Sequence, residues 1–136
     1  MNQYHPSSLP SVTAVDIVDL RQVDANRVTE YMAGAINAPA VRRQDQQAQE
    51  IAEMWRALPP GDTIRCHTPA VGIRFFDGNV IKCEASICWE CENLFGHAEG
   101  EPIAYCFDPR STAGRELFLA LQEIIGADVL GDEYPS

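Results

Sequence analysis

Apolar and polar positions change period several times along this chain, and each change marks an element. Val12 to Leu20 is rich in β-branched residues and interrupted by Asp16 and Asp19, which predicts a strand. Asp24 is placed to cap a short helix over Ala25 to Met32 that Gly34 stops, and Asn37 to Pro39 reads as a connection. From Gln44 to Leu58 the spacing becomes three and four. Ala48, Ile51, Ala52, Trp55 and Leu58 form one apolar stripe of a helix, and Pro59-Pro60 forbids its continuation. Leu117, Phe118, Leu121, Ile124 and Ile125 make a second stripe, opened by Asp108 with Pro109 or else by Ser111, and ended near Gly126.

Between the two helical stripes the period is two. Val71, Ile73 and Phe75 alternate with Gly72, Arg74 and Phe76, while Ile81, Cys83, Ala85, Ile87 and Trp89 alternate with Val80, Lys82, Glu84, Ser86 and Cys88. A two-residue Asp77-Gly78 turn would set Phe75 against Val80 and Ile73 against Lys82. A three-residue Asp77-Gly78-Asn79 loop instead pairs Phe75 with Ile81, Ile73 with Cys83 and Val71 with Ala85, and gives one consistent apolar face. Thr63 to His67 predicts a further strand or the bent beginning of the Val71 strand, with Ile64 and Cys66 inward and Arg65 and His67 outward. Pro102 to Phe107 predicts another after the Gly96 to Glu101 turn. The expected fold is α+β, an antiparallel β meander with helices packed on one face, as a single domain over residues 1–136. Residues 1–11, with Pro6 and Pro10, read as a flexible or draped arm and residues 128–136 as a loose acidic tail.

With 136 residues and 46% apolar content, the chain can bury a core without a disulfide or a metal. Ten Lys and Arg against 20 Asp and Glu give a formal charge of −10, a field that opposes nucleic acid and anionic membrane and attracts a basic partner. The N-terminal MNQYHPSSLPSV lacks the basic and apolar regions of an export signal, and no window suits a membrane span, which points to the cytoplasm. Five cysteines, an odd number without the spacing of a secreted scaffold, read there as reduced, buried thiols.

Four of those cysteines lie between Arg65 and Asn93. Cys66, His67, Cys88 and Cys91 have the side-chain types of a zinc site. Against that, the Cys88-Trp89-Glu90-Cys91 tip lacks a turn glycine, and in an extended strand Cys88 and Cys91 face opposite ways, Cys91 then joining Cys83 in the core. A redox Cys-x-x-Cys would need a helix behind it, and the pattern there is strand. Ser86, Ser111, His5, His67 and His97 have no triad spacing and read as surface or loop residues. Phosphate-binding glycine loops and the His-Glu-x-x-His metalloprotease pattern do not occur.

Two resemblances attach to these residues. Asp19-Leu20-Arg21, Tyr31 and Gly34 to Pro39 resemble the first half of a rhodanese domain, which implies a persulfide carrier at Cys66; the family's Cys loop closes on a helix N-terminus, whereas here Cys66 to Arg74 runs into a hairpin. Arg65-Cys66-His67-x-Pro69, Gly72-Ile73-Arg74-Phe75, Ser86-Ile87-Cys88-Trp89-x-Cys91-x-Asn93 and Phe107-Asp108 resemble a group of small bacterial proteins of uncharacterised activity, a resemblance that implies a link to toxin defence and no named reaction. With the −10 charge, this leads to a non-enzymatic acidic immunity protein that neutralises a bacterial toxin by direct binding. Its expected contact residues are Glu84, Glu90, Glu92, Glu99, Glu101, Asp128, Asp132 and Glu133. The rival expectation is a small zinc or thiol protein built on Cys66, Cys88 and Cys91.

Overall fold

The computed structural model of the protein describes residues 3–63 and 66–131. Six strands, β1 (Ala14–Asp19), β2 (Ala40–Gln44), β3 (Val71–Asp77), β4 (Val80–Cys88), β5 (Asn93–Ala98) and β6 (Glu101–Cys106), form one sheet in the order β2-β1-β3-β4-β5-β6. Every neighbouring pair is antiparallel, and helices α1 (Asp45–Arg56), α2 (Thr112–Ile125) and the short α3 (Ala127–Leu130) complete an α+β fold. No helix among the described residues is long and apolar enough to cross a membrane.

Period-two patterning sends alternate side chains to opposite faces of this sheet. Val15, Ile17, Ile73, Phe75, Cys83, Ala85, Ile87 and Leu94 turn to one face, where they meet the apolar stripes of α1 and α2 in the main core. Trp55 of α1 stacks edge-to-face on Phe75, with ring centroids 5.4 Å apart, and donates its indole N–H to Tyr4 Oη at 3.1 Å. That bond, together with Arg56 donating to the carbonyls of Leu9 and Pro10, drapes the N-terminal arm over α1. At α2, Ser111 is the cap: its Oγ accepts the Gly114 N–H at 3.0 Å.

The hairpin register differs from the expected one by two residues. Val71 pairs with Ile87, Ile73 with Ala85 and Phe75 with Cys83, because the turn is the two-residue Gly78-Asn79 and a bulge beyond Phe76–Ile81 leaves Lys82 unpaired. Beyond the bulge the side-chain alternation is the expected one, so Cys83, Ala85 and Ile87 face inward although their partners differ, whereas Ile81, expected inward, pairs with Phe76 on the other face and is exposed. Gly78 has a φ of 60°, the left-handed conformation that admits this tight turn.

Four further expectations are corrected. Ala25 to Met32 is not helical; the segment is irregular apart from a 3₁₀ turn at Ala33–Ala35. Asn93 to Ala98 is strand β5, and the turn expected over Gly96 to Glu101 shortens to Glu99-Gly100. Thr63 and Cys66 to Pro69 are not strand, Cys66 is exposed and His67 buried, the reverse of the predicted facing, while Ile64 and Arg65 fall outside the described residues. Ala127 to Leu130 of the expected loose tail is helical and packs beneath Arg21, which donates to the Asp128 carbonyl at 2.8 Å.

The second face of the sheet is covered by chain rather than by helix. Leu20, Met32 and Ala35, from the irregular 20–39 segment, pack with Val18 into a small separate cluster. Gly72 lies under this cover, where a Cβ would run into the sulfur of Met32. Towards the sheet edge the same face carries charge in alternation. Asp16 sits between Arg42 and Arg74 in register, and Arg74 sits opposite Glu84. The Arg42–Asp16 and Arg74–Glu84 pairs close at 2.7 and 3.0 Å, and Arg74 also donates to the Met32 carbonyl, pinning the covering segment.

Candidate functional site

Most of the residues singled out from the sequence gather where segment 66–70 crosses this second face. Ser86 and Cys88 of β4 and Asn93 of β5 point to it, and His67 comes down onto them from above. His67 Nδ1 lies 2.8 Å from Asn93 Oδ1 and Nε2 lies 2.8 Å from Ser86 Oγ. The Asn93 amide donates from Nδ2 to the Cys66 carbonyl at 2.7 Å, which turns Oδ1 towards the imidazole. Nδ1 therefore carries the proton, and Nε2 accepts from the Ser86 hydroxyl. Tyr31 and Phe95 meet the ring edge-on at 5.6 and 4.7 Å. Burial holds the His67 pKa below its ordinary value, against a smaller opposing effect from the Asn93 hydrogen bond.

Hydroxyl, imidazole and amide stand in the order nucleophile, base and orienting group. The surroundings deny that order a substrate. Ser86 and Asn93 are both 0% exposed, and Ser86 is flanked by Gly72 and Phe95 on the neighbouring strands. Ser86 Oγ also lies 3.2 Å from the Phe95 carbonyl, so if His67 gains a proton the hydroxyl can swing its own hydrogen there and accept from Nε2–H. The network is satisfied in either state, as a buried polar cluster that fixes a fold must be. His67 is a loop residue, as expected, but a buried one, and Ser86, expected at the surface or in a loop, is buried in β4. The available signal was Ser86 itself, a small polar residue on the same strand face as Cys88 within an apolar run.

The chain reverses in the four-residue turn Trp89–Glu92, so β4 ends before Cys91 and the expected alignment of Cys91 with Cys83 does not form. The turn brings Cys91 to Cys66, and the two are joined in a disulfide, with Cα atoms 5.6 Å apart. This overturns the expectation that all five cysteines are reduced. Cys88 stays a thiol; its Sγ accepts the Cys91 N–H at 3.2 Å and lies 3.8 Å from Thr68 Oγ1. Cys83 is sealed beneath Tyr4, where burial pushes its pKa up to about 12. The four proposed zinc ligands are therefore arranged as a disulfide, a neighbouring thiol and an imidazole whose nitrogens meet Ser86 and Asn93. Among the described residues, no group of three or more His, Cys, Asp or Glu is placed to hold a metal ion.

The acidic contact residues divide between two ends of the sheet. Glu90, Glu92 and Asp128 lie near the Cys66–Cys91 end, and Glu99 and Glu101 flank the far turn, about 20 Å away along β5. Glu84 and Glu92 are engaged by Arg74 and Arg110, the exposed Glu99 pairs with Lys82 at 3.8 Å, and Glu90 and Glu101 face solvent. Asp132 and Glu133 lie outside the described residues. No family model, curated protein or solved structure matches this chain.

Proposed function

We propose that this chain is a non-enzymatic, acidic binding protein that acts in the cytoplasm as an immunity protein, neutralising a basic bacterial toxin by direct binding. The observation that carries the reading is how the charge is distributed. Of the ten Lys and Arg, Arg21, Arg42, Arg56, Arg74, Lys82 and Arg110 are held in ion pairs with the protein's own carboxylates, so most of the cations are matched within the molecule and the −10 net charge is carried by the excess carboxylates. Closure of the Ser86–His67–Asn93 network points the same way, since its hydroxyl is sealed under packed side chains. Such a field accelerates encounter with a basic partner and opposes nucleic acid.

The test is to mix the protein with a basic toxin encoded beside it and follow toxin activity as salt is raised. Stoichiometric inhibition that weakens steeply between low and physiological ionic strength is the expected result; toxin activity unaffected by excess protein removes the reading.

A second reading rests on Cys66, which is exposed and bonded to Cys91, whose N–H donates to the Cys88 thiol. Here the protein is a small thiol- or zinc-based protein, or a rhodanese-like sulfur carrier. Native mass spectrometry after gentle reduction separates these outcomes by the mass of a bound zinc or a persulfide, and alkylation confined to Cys66 would favour the carrier.

A further inference from the structure

Helices α1 and α2 lie side by side on the outside of the main core, and between them runs a groove of about 620 Å³. Met54, Ala57, Pro59 and Ala113 line its apolar part, and a smaller hollow that shares Glu50 and Met54 continues it to Ile124. Carboxylates flank this seam: Glu50 and Glu53 on α1, Glu116 and Glu123 on α2. Among the described residues, Arg43 is the one cationic side chain lining either hollow, and Arg56 pairs with one oxygen of Glu53 at 2.7 Å. We propose that this groove, none of whose carboxylates were among the contacts expected from sequence, is where the partner docks, and that its occupant is a basic amphipathic helix of the partner protein. The proposal rests on the binding-protein reading and gives it a location.

Charge decides between occupants. A second copy of a chain with a net charge of −10 would bring like charge to like, and so would this chain's own terminal Asp132 and Glu133. Nucleic acid and anionic lipid are repelled for the same reason. A bare divalent cation lacks a cage, since among the described residues no group of three acidic or other ligating side chains is placed to hold one. An amphipathic basic helix answers both parts of the surface. Its apolar stripe covers the floor around Met54, an unbranched side chain that adapts to what packs on it, while lysines on its flanks reach the four carboxylates. α1 is 12 residues and so about 18 Å long, the length over which such a helix can lie alongside.

The probe is a fluorescent Leu/Lys peptide of about 14 residues with leucines at three-and-four spacing, compared with a scrambled peptide of the same composition and charge. Anisotropy titrations use the whole chain, a groove variant (E50Q, E53Q, E116Q, E123Q) and a control variant (E90Q, E99Q, E101Q). Glutamine keeps side-chain size and helix propensity, and circular dichroism verifies that each variant folds. The expected result is that the amphipathic peptide binds about tenfold more tightly than the scrambled one, that the groove variant loses about tenfold, and that the control variant changes less than about twofold. Equal loss in both variants, equal binding of both peptides, or no binding of either overturns the groove. The toxin-inhibition assay judges the parent reading separately: inhibition that persists in the groove variant leaves the binding protein standing and removes this surface from it.

Discussion

The two faces of the sheet are built on different principles. One buries Val15, Ile17, Ile73, Phe75 and Ile87 under two amphipathic helices, in contacts that are numerous, non-directional and individually replaceable. The other is closed by irregular chain and by specific polar partners: His67 with Ser86 and Asn93, Arg74 with Glu84 and Met32, Cys66 with Cys91. Burial supplies most of the stability on the first face. On the second it is geometry that selects one path for residues 20–39 and 66–70, because a buried polar group left without its partner is costly.

Substitutions that act on one face at a time test this contrast. Phe75→Ala empties the centre of the helix-covered core beside Trp55 and is expected to cost about 3–5 kcal/mol in urea unfolding, with the slope of the transition retained. Opening the disulfide with Cys66→Ser and Cys91→Ser frees a loop of 25 residues in the unfolded chain and is expected to cost about 3 kcal/mol on the chain-entropy account. A negligible loss would mean that the Asn93 bond to the Cys66 carbonyl already holds the segment. Asn93→Ala strands both the His67 Nδ1 proton and that carbonyl, and is expected to cost about 2 kcal/mol. If the polar face adds only specificity, that variant should match wild type in stability while hydrogen exchange rises across residues 66–70.

The smallest effect is a pH slope. Because burial lowers the pKa of His67 in the folded state, the unfolded chain binds its proton first as pH falls. The stability His67 contributes is complete above about pH 6.5, its unfolded value, and is lost as pH falls towards the folded one, at no more than about 1.4 kcal/mol per pH unit. His67→Gln should flatten the stability–pH curve in that window. Asp19, whose pKa is lowered chiefly by its hydrogen bonds from Arg21, acts only further down: its contribution is present above about pH 3.9 and lost below it. A slope below pH 6.5 that survives His67→Gln would assign the effect elsewhere.

Alternation and three-and-four spacing are local records of which side faces a core, so the β1 strand, the inward residues of β3 and of β4 from Cys83 to Ile87, both long helices and the α+β class were legible in the chain. Registers and pairings are not local. The Lys82 bulge moved the partners of Ile73 and Phe75 without changing their facing, and the Trp89–Glu92 turn, which carries no glycine, hid both the start of β5 and the meeting of Cys91 with Cys66. The His67 network joins residues 19 and 26 positions apart, and the Glu50–Glu116 groove joins helices separated in the chain by four strands of the sheet. By itself the sequence determined what each segment must bury and the sign of the field around it, because those depend on composition and period. Only the tertiary structure decided which polar groups meet, since a hydrogen bond, a disulfide or a docking groove is set by distances between side chains that the order of residues does not encode.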